Sequence, residues 1–303
     1  MQHFADRMAA AVKRKKTAVA VGLDPRIEQL PKALLSNVAD PMARAAAYRV
    51  FCEGVIDAVA SLVPVVKPQA AFFEQLGPPG IDALAAVIQH ARQAGLIVIL
   101  DAKRGDIGST AEAYADAYLA GTSSGMAADA LTVNPYLGDD SLTPFVAAAQ
   151  AHGGGVFVLV KTSNPGGGQF QDLIADGRPV YRHVAEHVAS LAADSAGDCG
   201  YGLVGAVVGA TYPEQLAELR AVMPRAWLLV PGYGSQGGKA KDVAAAFDAS
   251  GLGALVNNSR GIIFAHSQPR FERFGPARWQ DAVAAATREM IAELRAETTC
   301  RSL

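Results

Sequence analysis

Eight short apolar runs alternate with alanine-rich stretches along this chain of 303 residues. Most of the runs contain few polar residues, which is typical of parallel strands that are covered on both faces. The segments between them, such as residues 80–95 and 212–224, carry apolar residues at helical spacing. The alternation therefore predicts an α/β fold, the (β/α)8 or TIM barrel. The predicted strands are residues 18–25, 62–69, 96–104, 130–136, 155–163, 203–211, 226–234 and 254–261.

An open, doubly wound sheet is the alternative that this alternation leaves. A dinucleotide-binding sheet of that kind carries a GxGxxG turn after its first strand, and none follows residues 18–25. We expect a single domain over residues 1–303, with an N-terminal helix at about 3–16 and a closing helix at about 277–297. The glycine-rich segment 164–180 follows the fifth predicted strand, and we interpret it as an active-site loop.

Composition narrows the class of protein. Hydrophobic residues make up 50% of the chain, and the net charge of −2 gives no reason to expect a nucleic-acid or membrane partner. No apolar run approaches the roughly 18 residues of a membrane span, and the N-terminus does not resemble a signal peptide. Cys52, Cys199 and Cys300 are an odd, scattered set, so we interpret them as reduced thiols of a cytoplasmic protein and expect no metal site.

The third predicted strand ends in a cluster of charge, "LDAKRGDIGST" at residues 100–110. Asp101 and Lys103 are two residues apart, so in an extended chain they point to the same side. A carboxylate and an ammonium that lie close keep each other charged. Polar residues at the carboxyl end of a barrel strand favour an active site. The alternative that the residues leave open is a solvated turn of ion pairs.

The same segment also predicts how the next helix begins. "STAE" at residues 109–112 is a capping-box pattern, in which Ser109 caps the helix and Glu112 reaches back to it. Asp106 lies three residues before Ser109 and is not needed for that cap. Asp106 is therefore available for another role.

Two glycine-rich or small-residue turns near the end of the chain indicate a phosphate site. "PGYGSQGG" at residues 231–238 offers many backbone N–H groups, and "NSRG" at 258–261 adds the guanidinium of Arg260. In many barrels the loops after the seventh and eighth strands bind phosphate in this way. The alternative is ordinary turn chemistry beside a surface arginine.

Six segments, in order along the chain, resemble the motifs of the orotidine 5′-phosphate decarboxylase family, in its longer bacterial subgroup. They are "GLDPR", "VVKPQAAFFEQ", "LDAKRGDIGST", "VKTSNPGGGQFQDL", "VPGYGSQGG" and "VNNSRGIIFA", within about residues 18–265. The resemblance implies a homodimer with shared active sites that decarboxylates orotidine 5′-phosphate to uridine 5′-phosphate without a cofactor. Such a reaction leaves a carbanion at C6, which fixed charges must stabilise.

The resemblance also implies roles for single residues. The catalytic residues would be an array of alternating charge, in which Lys103 protonates C6 and Asp101 lies beside the substrate carboxylate. The array is Lys67, Asp101, Lys103 and Asp106. Asp106 would reach into the neighbouring subunit's site, with Thr110 nearby.

The remaining family positions would bind the substrate. Asp24 and Lys67 would bind the ribose hydroxyls, and Ser163 would bind the pyrimidine edge. Gln236 and Arg260 would bind the phosphate, under a loop that begins at Pro231 and Gly232. Ser259 stands where the family often has glycine, and it keeps the backbone N–H donor.

Other functions remain open at this point. A magnesium-dependent sugar-phosphate decarboxylase or synthase would need an acid near the end of the second strand, where only Glu74 comes, and late. Lys161 closes the fifth strand, and it fits either a Schiff-base aldolase or an ion pair that supports a loop. "HVAEH" at residues 183–187 fits a metalloprotease pattern, although an exposed helix face explains it as well. A phosphate-binding barrel without activity would leave the charge array unexplained.

Overall fold

Eight parallel strands close into a barrel in the computed structural model, which describes residues 2–35, 39–120, 125–234 and 237–303. The barrel strands are β1 (Val19–Leu23), β2 (Val65–Pro68), β3 (Ile97–Arg104), β4 (Ala130–Val133), β5 (Gly155–Lys161), β8 (Val204–Val208), β9 (Leu228–Val230) and β10 (Ala254–Asn258). Around the barrel the order is β1, β10, β9, β8, β5, β4, β3 and β2, so barrel strands that follow one another along the chain are paired. This closed barrel confirms the predicted fold class and excludes the open sheet.

Helices connect the strands and cover the outside of the barrel. They are α1 (Phe4–Lys15), α2 (Pro41–Val59), α3 (Ala70–Glu74), α4 (Pro78–Gln93), α5 (Gly108–Leu119), α6 (Asp139–His152), α7 (Gly168–Gln171), α8 (Val180–Asp194), α9 (Pro213–Val222), α10 (Arg260–Ile263) and α11 (Trp279–Glu297). Short 3-10 turns, the longest at Ala240–Ala246, complete several connections. Within the described ranges no helix is long and apolar enough to cross a bilayer.

Helix α1 closes the barrel at the amino ends of the strands. Phe4 lies edge-on to Phe157 of β5, with ring centroids 6.3 Å apart. Gly155 makes this contact possible, because a Cβ at that position would lie 2.3 Å from the Phe4 ring. With that end filled by an aromatic plug, a substrate pocket can open only at the carboxyl ends of the strands.

Segment 164–180 has local structure of its own. It contains α7 and a two-stranded antiparallel hairpin, in which β6 (Ile174–Ala175) pairs with β7 (Arg178–Pro179). The seventh predicted strand, at residues 226–234, is shorter in the structure, because only Leu228–Val230 pair as a strand before Pro231 and Gly232 begin a loop.

The capping-box prediction for α5 is wrong. The helix begins at Gly108, and Ile107 occupies the N-cap position with no side-chain capping bond to any described residue. Gly108 has a φ of +52°, a conformation that glycine adopts without strain. That turn starts the helix one residue before Ser109, so Ser109 lies in the first turn. Asp106 accepts a hydrogen bond from the Ile107 N–H at 2.8 Å.

Candidate active site

A pocket of 520 Å³ opens at the carboxyl ends of the barrel strands. It collects sequence-predicted residues from β1, β2, β3, β5, β9 and β10, although these lie far apart along the chain. Those residues are Asp24, Lys67, Asp101, Lys103, Ser163, Pro231, Gly232, Ser259 and Arg260. Neither Asp106 nor Thr110 is among the described residues that line this pocket, and Gln236 lies outside the described residues.

Asp101 is the centre of a hydrogen-bond network at the bottom of the pocket. Its Oδ2 accepts from Lys67 Nζ at 2.6 Å and from Gln69 Nε2 at 3.0 Å. Its Oδ1 accepts from Lys103 Nζ at 2.6 Å and from Thr132 Oγ1 at 3.0 Å. Two ammonium groups thus share one buried carboxylate, as the spacing of Asp101 and Lys103 in the sequence predicts for one of them.

The charges of this network support one another. Burial raises the pKa of Asp101, but the Lys67 and Lys103 ammonium groups outweigh it and hold the pKa well below its ordinary value. Burial lowers the pKa of Lys67, but the carboxylates of Asp101 and Asp24 outweigh it, so that the pKa is raised. The Asp101 carboxylate and the Lys67 ammonium therefore stay charged at neutral pH.

A bulge in β3 aims Lys103 at the pocket. Leu100 pairs with Leu131 and Arg104 with Val133, so residues 101–103 of β3 face Thr132 alone. The Thr132 hydroxyl accepts from the Ala102 and Lys103 N–H groups at 3.1 and 2.9 Å. Lys103 has a φ of +48°, a strained conformation for a residue with a Cβ. Strain of this kind is concentrated at functional sites, and here Thr132 holds it in place.

The side of the pocket formed by β1 and β10 contains three buried polar side-chain atoms. Asp24 Oδ1, Asn257 Oδ1 and Ser259 Oγ are buried and have no hydrogen-bond partner among the described residues. Gly22 allows this side to pack closely, since a Cβ there would lie 2.7 Å from Ser259 Cβ. Unpaired buried acceptors are costly without a ligand or water, so this side is suited to bind hydroxyl groups.

The loop after β9 and the start of α10 adjoin this polar side. Gly232 has a φ of +98°, and its carbonyl accepts from the Gly238 N–H at 3.3 Å. The Gly234 N–H donates to the Gly238 carbonyl at 2.8 Å, which folds the loop back on itself. Tyr233 anchors the loop to α11 by donating its hydroxyl to Glu293. Arg260, the first residue of α10, lines the pocket here.

Lys161 does not face the pocket as a free amine. Its ammonium is buried and lies 2.5 Å from Asp172 Oδ1, beyond α7. The rings of Tyr181 and Tyr212 lie 5.4 and 5.0 Å from the same nitrogen. This arrangement favours the loop-supporting ion pair over the Schiff-base alternative. Glu74 pairs with Arg104, so the late acid after β2 is already engaged.

The "HVAEH" residues lie on α8 and make separate contacts. His183 donates to the Ala175 carbonyl at 2.8 Å, and His187 Nε2 lies 2.8 Å from Asp139 Oδ1. Glu186 pairs with Arg178 at 2.6 Å. Among the described residues no cluster of three His, Cys, Asp or Glu side chains could hold a metal ion. The helix-face explanation therefore fits this motif.

Sequence reasoning missed several residues of the pocket lining, among them the polar side chains of Gln69, Thr132, Gln171 and Asn257. Two of them carried a readable signal. Gln69 lies two residues after Lys67, and Asn257 lies two residues before Ser259, so strand alternation places each on the same side as a residue already selected. Thr132 stands out only as a polar residue in the short apolar strand "ALTV". Gln171 gave no signal, because it reaches the pocket through the fold of segment 164–180.

Comparison with known proteins agrees with this geometry. Residues 18–272 match the model of the orotidine 5′-phosphate decarboxylase / HUMPS family. The chain belongs to this family. It is 58% identical over 301 residues to an orotidine 5′-phosphate decarboxylase of Rhodopirellula baltica, a match that covers 97% of this chain and 100% of the relative. The resemblance deduced from the six motifs is therefore confirmed.

Other members of the orotidine 5′-phosphate decarboxylase family are more distant. A Deinococcus radiodurans relative of the same name is 47% identical over 265 residues, covering 86% of this chain and 89% of the relative. The solved Leishmania donovani OMP decarboxylase shares 36% identity with a TM-score of 0.76, over 98% of this chain and 99% of that one. The match extends over the whole barrel, so it includes every strand that contributes to the pocket.

Proposed function

We propose that this chain is a carboxy-lyase that converts orotidine 5′-phosphate to uridine 5′-phosphate in pyrimidine synthesis. The observation that carries the proposal is the Lys67–Asp101–Lys103 network at the pocket, in a chain 58% identical over nearly its full length to a relative of that name. The chain works as a single barrel domain.

Lys103 is the general acid of the reaction. The bond from C6 to the carboxyl carbon breaks, carbon dioxide leaves, and the electron pair stays on C6. A proton of the Lys103 ammonium then bonds to C6, and solvent later returns a proton to the neutral amine. An ammonium that is already in place stabilises the negative charge as it develops, without reorganisation at that moment. Asp101 supports this role by holding the Lys103 ammonium at 2.6 Å and lies beside the substrate carboxylate.

The rest of the pocket binds the nucleotide. Asp24 and Lys67 bind the ribose hydroxyls, which fits the unpartnered Oδ1 of Asp24. Arg260, Gln236 and the backbone N–H of Ser259 bind the phosphate, under the loop that begins at Pro231 and Gly232. The side chain of Ser163, at the end of β5, binds the pyrimidine edge. Phosphate binding far from C6 contributes energy that helps to assemble the site.

The enzyme acts as a cytoplasmic homodimer in which Asp106 and Thr110 serve the neighbouring subunit's site. The dimer is supported by large apolar side chains that are exposed on the loops after β3 and β4, since Ile107, Tyr136 and Leu137 are 56%, 84% and 50% exposed. The two loops concerned are joined by a hydrogen bond of 2.8 Å from residue 134 to residue 104. Large apolar side chains grouped in this way are typical of an interaction surface.

Two inactive variants test the shared site. Lys103→Ala and Asp106→Ala homodimers are expected to be inactive. When they are mixed so that subunits exchange, half of the dimers are hybrids with one intact site of two. We expect recovery of about a quarter of wild-type activity. No recovery, despite exchange demonstrated by a tagged subunit, would contradict the shared site.

The activity itself is tested by following the absorbance of orotidine 5′-phosphate in the presence of EDTA. We expect complete conversion to uridine 5′-phosphate with the chelator present. A flat trace would refute the proposal. Activity that disappears with EDTA and returns with Mg²⁺ would instead favour the metal-dependent sugar-phosphate enzymes of the same barrel class.

A further inference from the structure

We propose that segment 164–180 is clamped to the end of β5, and that Gln171 positions Ser163 for recognition of the pyrimidine. This inference rests on the proposed function, in which Ser163 binds the pyrimidine edge. It assigns a task to α7 and to Gln171 for which the sequence pattern gave no indication. Gln171 is a positioning residue, because it acts through Thr162, the residue that directly follows β5.

The clamp consists of two hydrogen bonds between the same two residues. Gln171 Oε1 accepts from the Thr162 N–H at 3.1 Å, and Gln171 Nε2 donates to Thr162 Oγ1 at 2.7 Å. The Thr162 hydroxyl donates in turn to Asn164 Oδ1 at 2.6 Å. The residues on both sides of Ser163 are thus engaged in one network, and Gln171 joins them to α7.

Small residues allow the clamp to close. A Cβ at Gly167 would lie 3.0 Å from Thr162 Oγ1 and 3.1 Å from Gln171 Oε1, so a larger residue would push the clamp apart. On the other side of the chain, a Cβ at Gly209 would lie 2.8 Å from Ser163 Cβ. Ser163 is therefore confined between Gly209 on one side and the clamped Thr162 on the other.

An ion pair beside the clamp anchors it. Asp172 follows Gln171, and Lys161 precedes Thr162, so the 2.5 Å contact of Lys161 Nζ with Asp172 Oδ1 doubles the connection between the same two segments. The ammonium is covered by the rings of Tyr181 and Tyr212. Lys161 is 1% exposed, which leaves it little freedom to swing away. The segment is fixed at two successive residues.

The clamp lies on the base side of the pocket, away from the phosphate. β5 is separated from β10, which leads to Arg260, by β8 and β9 in the barrel order. Thr162, Ser163 and Gln171 line the pocket together. Loosening the clamp is therefore expected to affect contacts to the pyrimidine ring and to leave contacts to the ribose and phosphate intact.

The experiment compares two ligands and two variants by calorimetry. Gln171→Leu should weaken the binding of uridine 5′-phosphate by about tenfold, as expected for the loss of a positioned hydrogen bond. The affinity for ribose 5-phosphate should stay unchanged. Ser163→Ala should do the same, and the double variant should lose little more than either alone. Gln171→Glu keeps the acceptor for the Thr162 N–H, so it should recover part of the affinity.

Controls separate this inference from a folding defect and from failure of the proposed function. Gln150 is exposed near the C-terminal end of α6 and is not among the described residues that line the pocket, so Gln150→Leu should change neither ligand's affinity. Three results would each overturn the inference. They are an equal loss of affinity for both ligands in Gln171→Leu, an unchanged affinity for uridine 5′-phosphate in that variant, and losses of affinity that add up in the double variant. If wild-type protein binds uridine 5′-phosphate but does not decarboxylate orotidine 5′-phosphate, the proposed function fails. The affinities of the variants for uridine 5′-phosphate still test the clamp, because they do not depend on turnover.

Discussion

Two lysine–aspartate ion pairs at strand ends of this barrel differ in which member is exposed to solvent. The lysine is exposed in one pair, and the aspartate is exposed in the other. In the pair on β3, Asp101 is 10% exposed and Lys103 is 45% exposed, with 2.6 Å between them. In the pair at the end of β5, Lys161 is 1% exposed and Asp172 is 46% exposed, with 2.5 Å between them. The contact distances are nearly the same, but the buried member differs.

The difference separates a group that can act on a substrate from one that holds the chain together. Asp101 is buried under four donors, so the Lys103 ammonium that it holds remains available to a ligand in the pocket. The Lys161 ammonium is enclosed by two tyrosine rings and an aspartate, so it stabilises a loop. We therefore propose a catalytic role only for the pair on β3, whose ammonium faces the pocket.

The largest effect is expected from removing each ammonium in turn. Lys103→Ala should reduce kcat at least about 10⁴-fold, because both the general acid and the fixed positive charge are lost. Lys161→Met should reduce kcat by about tenfold or less, because it loosens a loop without touching the reacting atoms. Steady-state kinetics measure both, and binding of uridine 5′-phosphate shows that Lys103→Ala retains its pocket. Equal losses of kcat would remove the distinction between the two pairs.

A second comparison concerns the aspartates and the free energy of unfolding. Asp101→Asn should cost about 3–5 kcal/mol, because it leaves the buried Lys67 ammonium without its counter-charge. Asp172→Asn should cost about 1–2 kcal/mol, because Asp172 is half exposed and the tyrosine rings still face Lys161. Urea denaturation at pH 7 measures both values. A larger loss for Asp172→Asn would contradict the assignment of Asp101 as the buried centre.

The ion pair on β3 depends on the bulge at Lys103, whose N–H groups donate to the Thr132 hydroxyl. Thr132→Val should lower the free energy of unfolding by about 2–3 kcal/mol, because the Ala102 and Lys103 N–H groups lose their acceptor. It should also reduce kcat roughly tenfold. Thr132→Ser keeps the hydroxyl and serves as the matched control, with kcat close to that of the wild type. Denaturation and kinetics measure the two effects. A fully active Thr132→Val enzyme would show that the strained φ of Lys103 needs no such support.

The smallest expected effect is the response of the charge network to pH. The pKa of Asp101 is lowered, so its stabilisation is complete above the ordinary value of 3.8 and is lost only as the pH falls toward the folded value. The pKa of Lys67 is raised, so its stabilisation is complete below 10.5 and is lost only as the pH rises through the folded value. Neither group changes charge between about pH 5 and pH 9.

The comparison variant for this pH test replaces the buried pair by Lys67→Met with Asp101→Leu. The difference in unfolding free energy between wild type and this variant should change by less than about 1 kcal/mol from pH 5 to pH 9. Urea denaturation at each pH measures it. A rise of the wild type relative to the variant as the pH falls from 7 to 5 would contradict this, because it would mean that folded Asp101 binds a proton there and that its pKa is raised.

The periodicity of the chain was sufficient for the barrel, because each strand and helix carries its own apolar pattern. The meeting of Lys67, Asp101 and Lys103, which we propose as catalytic residues, followed as well, since they lie at strand ends that the fold brings together. The start of α5 was misplaced, because Gly108 turns the chain before Ser109 can cap it. Thr132 and Gln171 were missed because each acts through a partner that is remote in sequence.

The sequence by itself determined the order of strands and helices, the kinds of charge at the strand ends and, through its motifs, the family. Only the tertiary structure decided which member of each ion pair faces the pocket, how the bulge in β3 is satisfied, and that α7 returns to the end of β5. The reason is physical. Local patterns encode which backbone is regular and which face is buried, whereas burial of a charge and the choice of its partner depend on atoms from segments that meet only when the barrel closes.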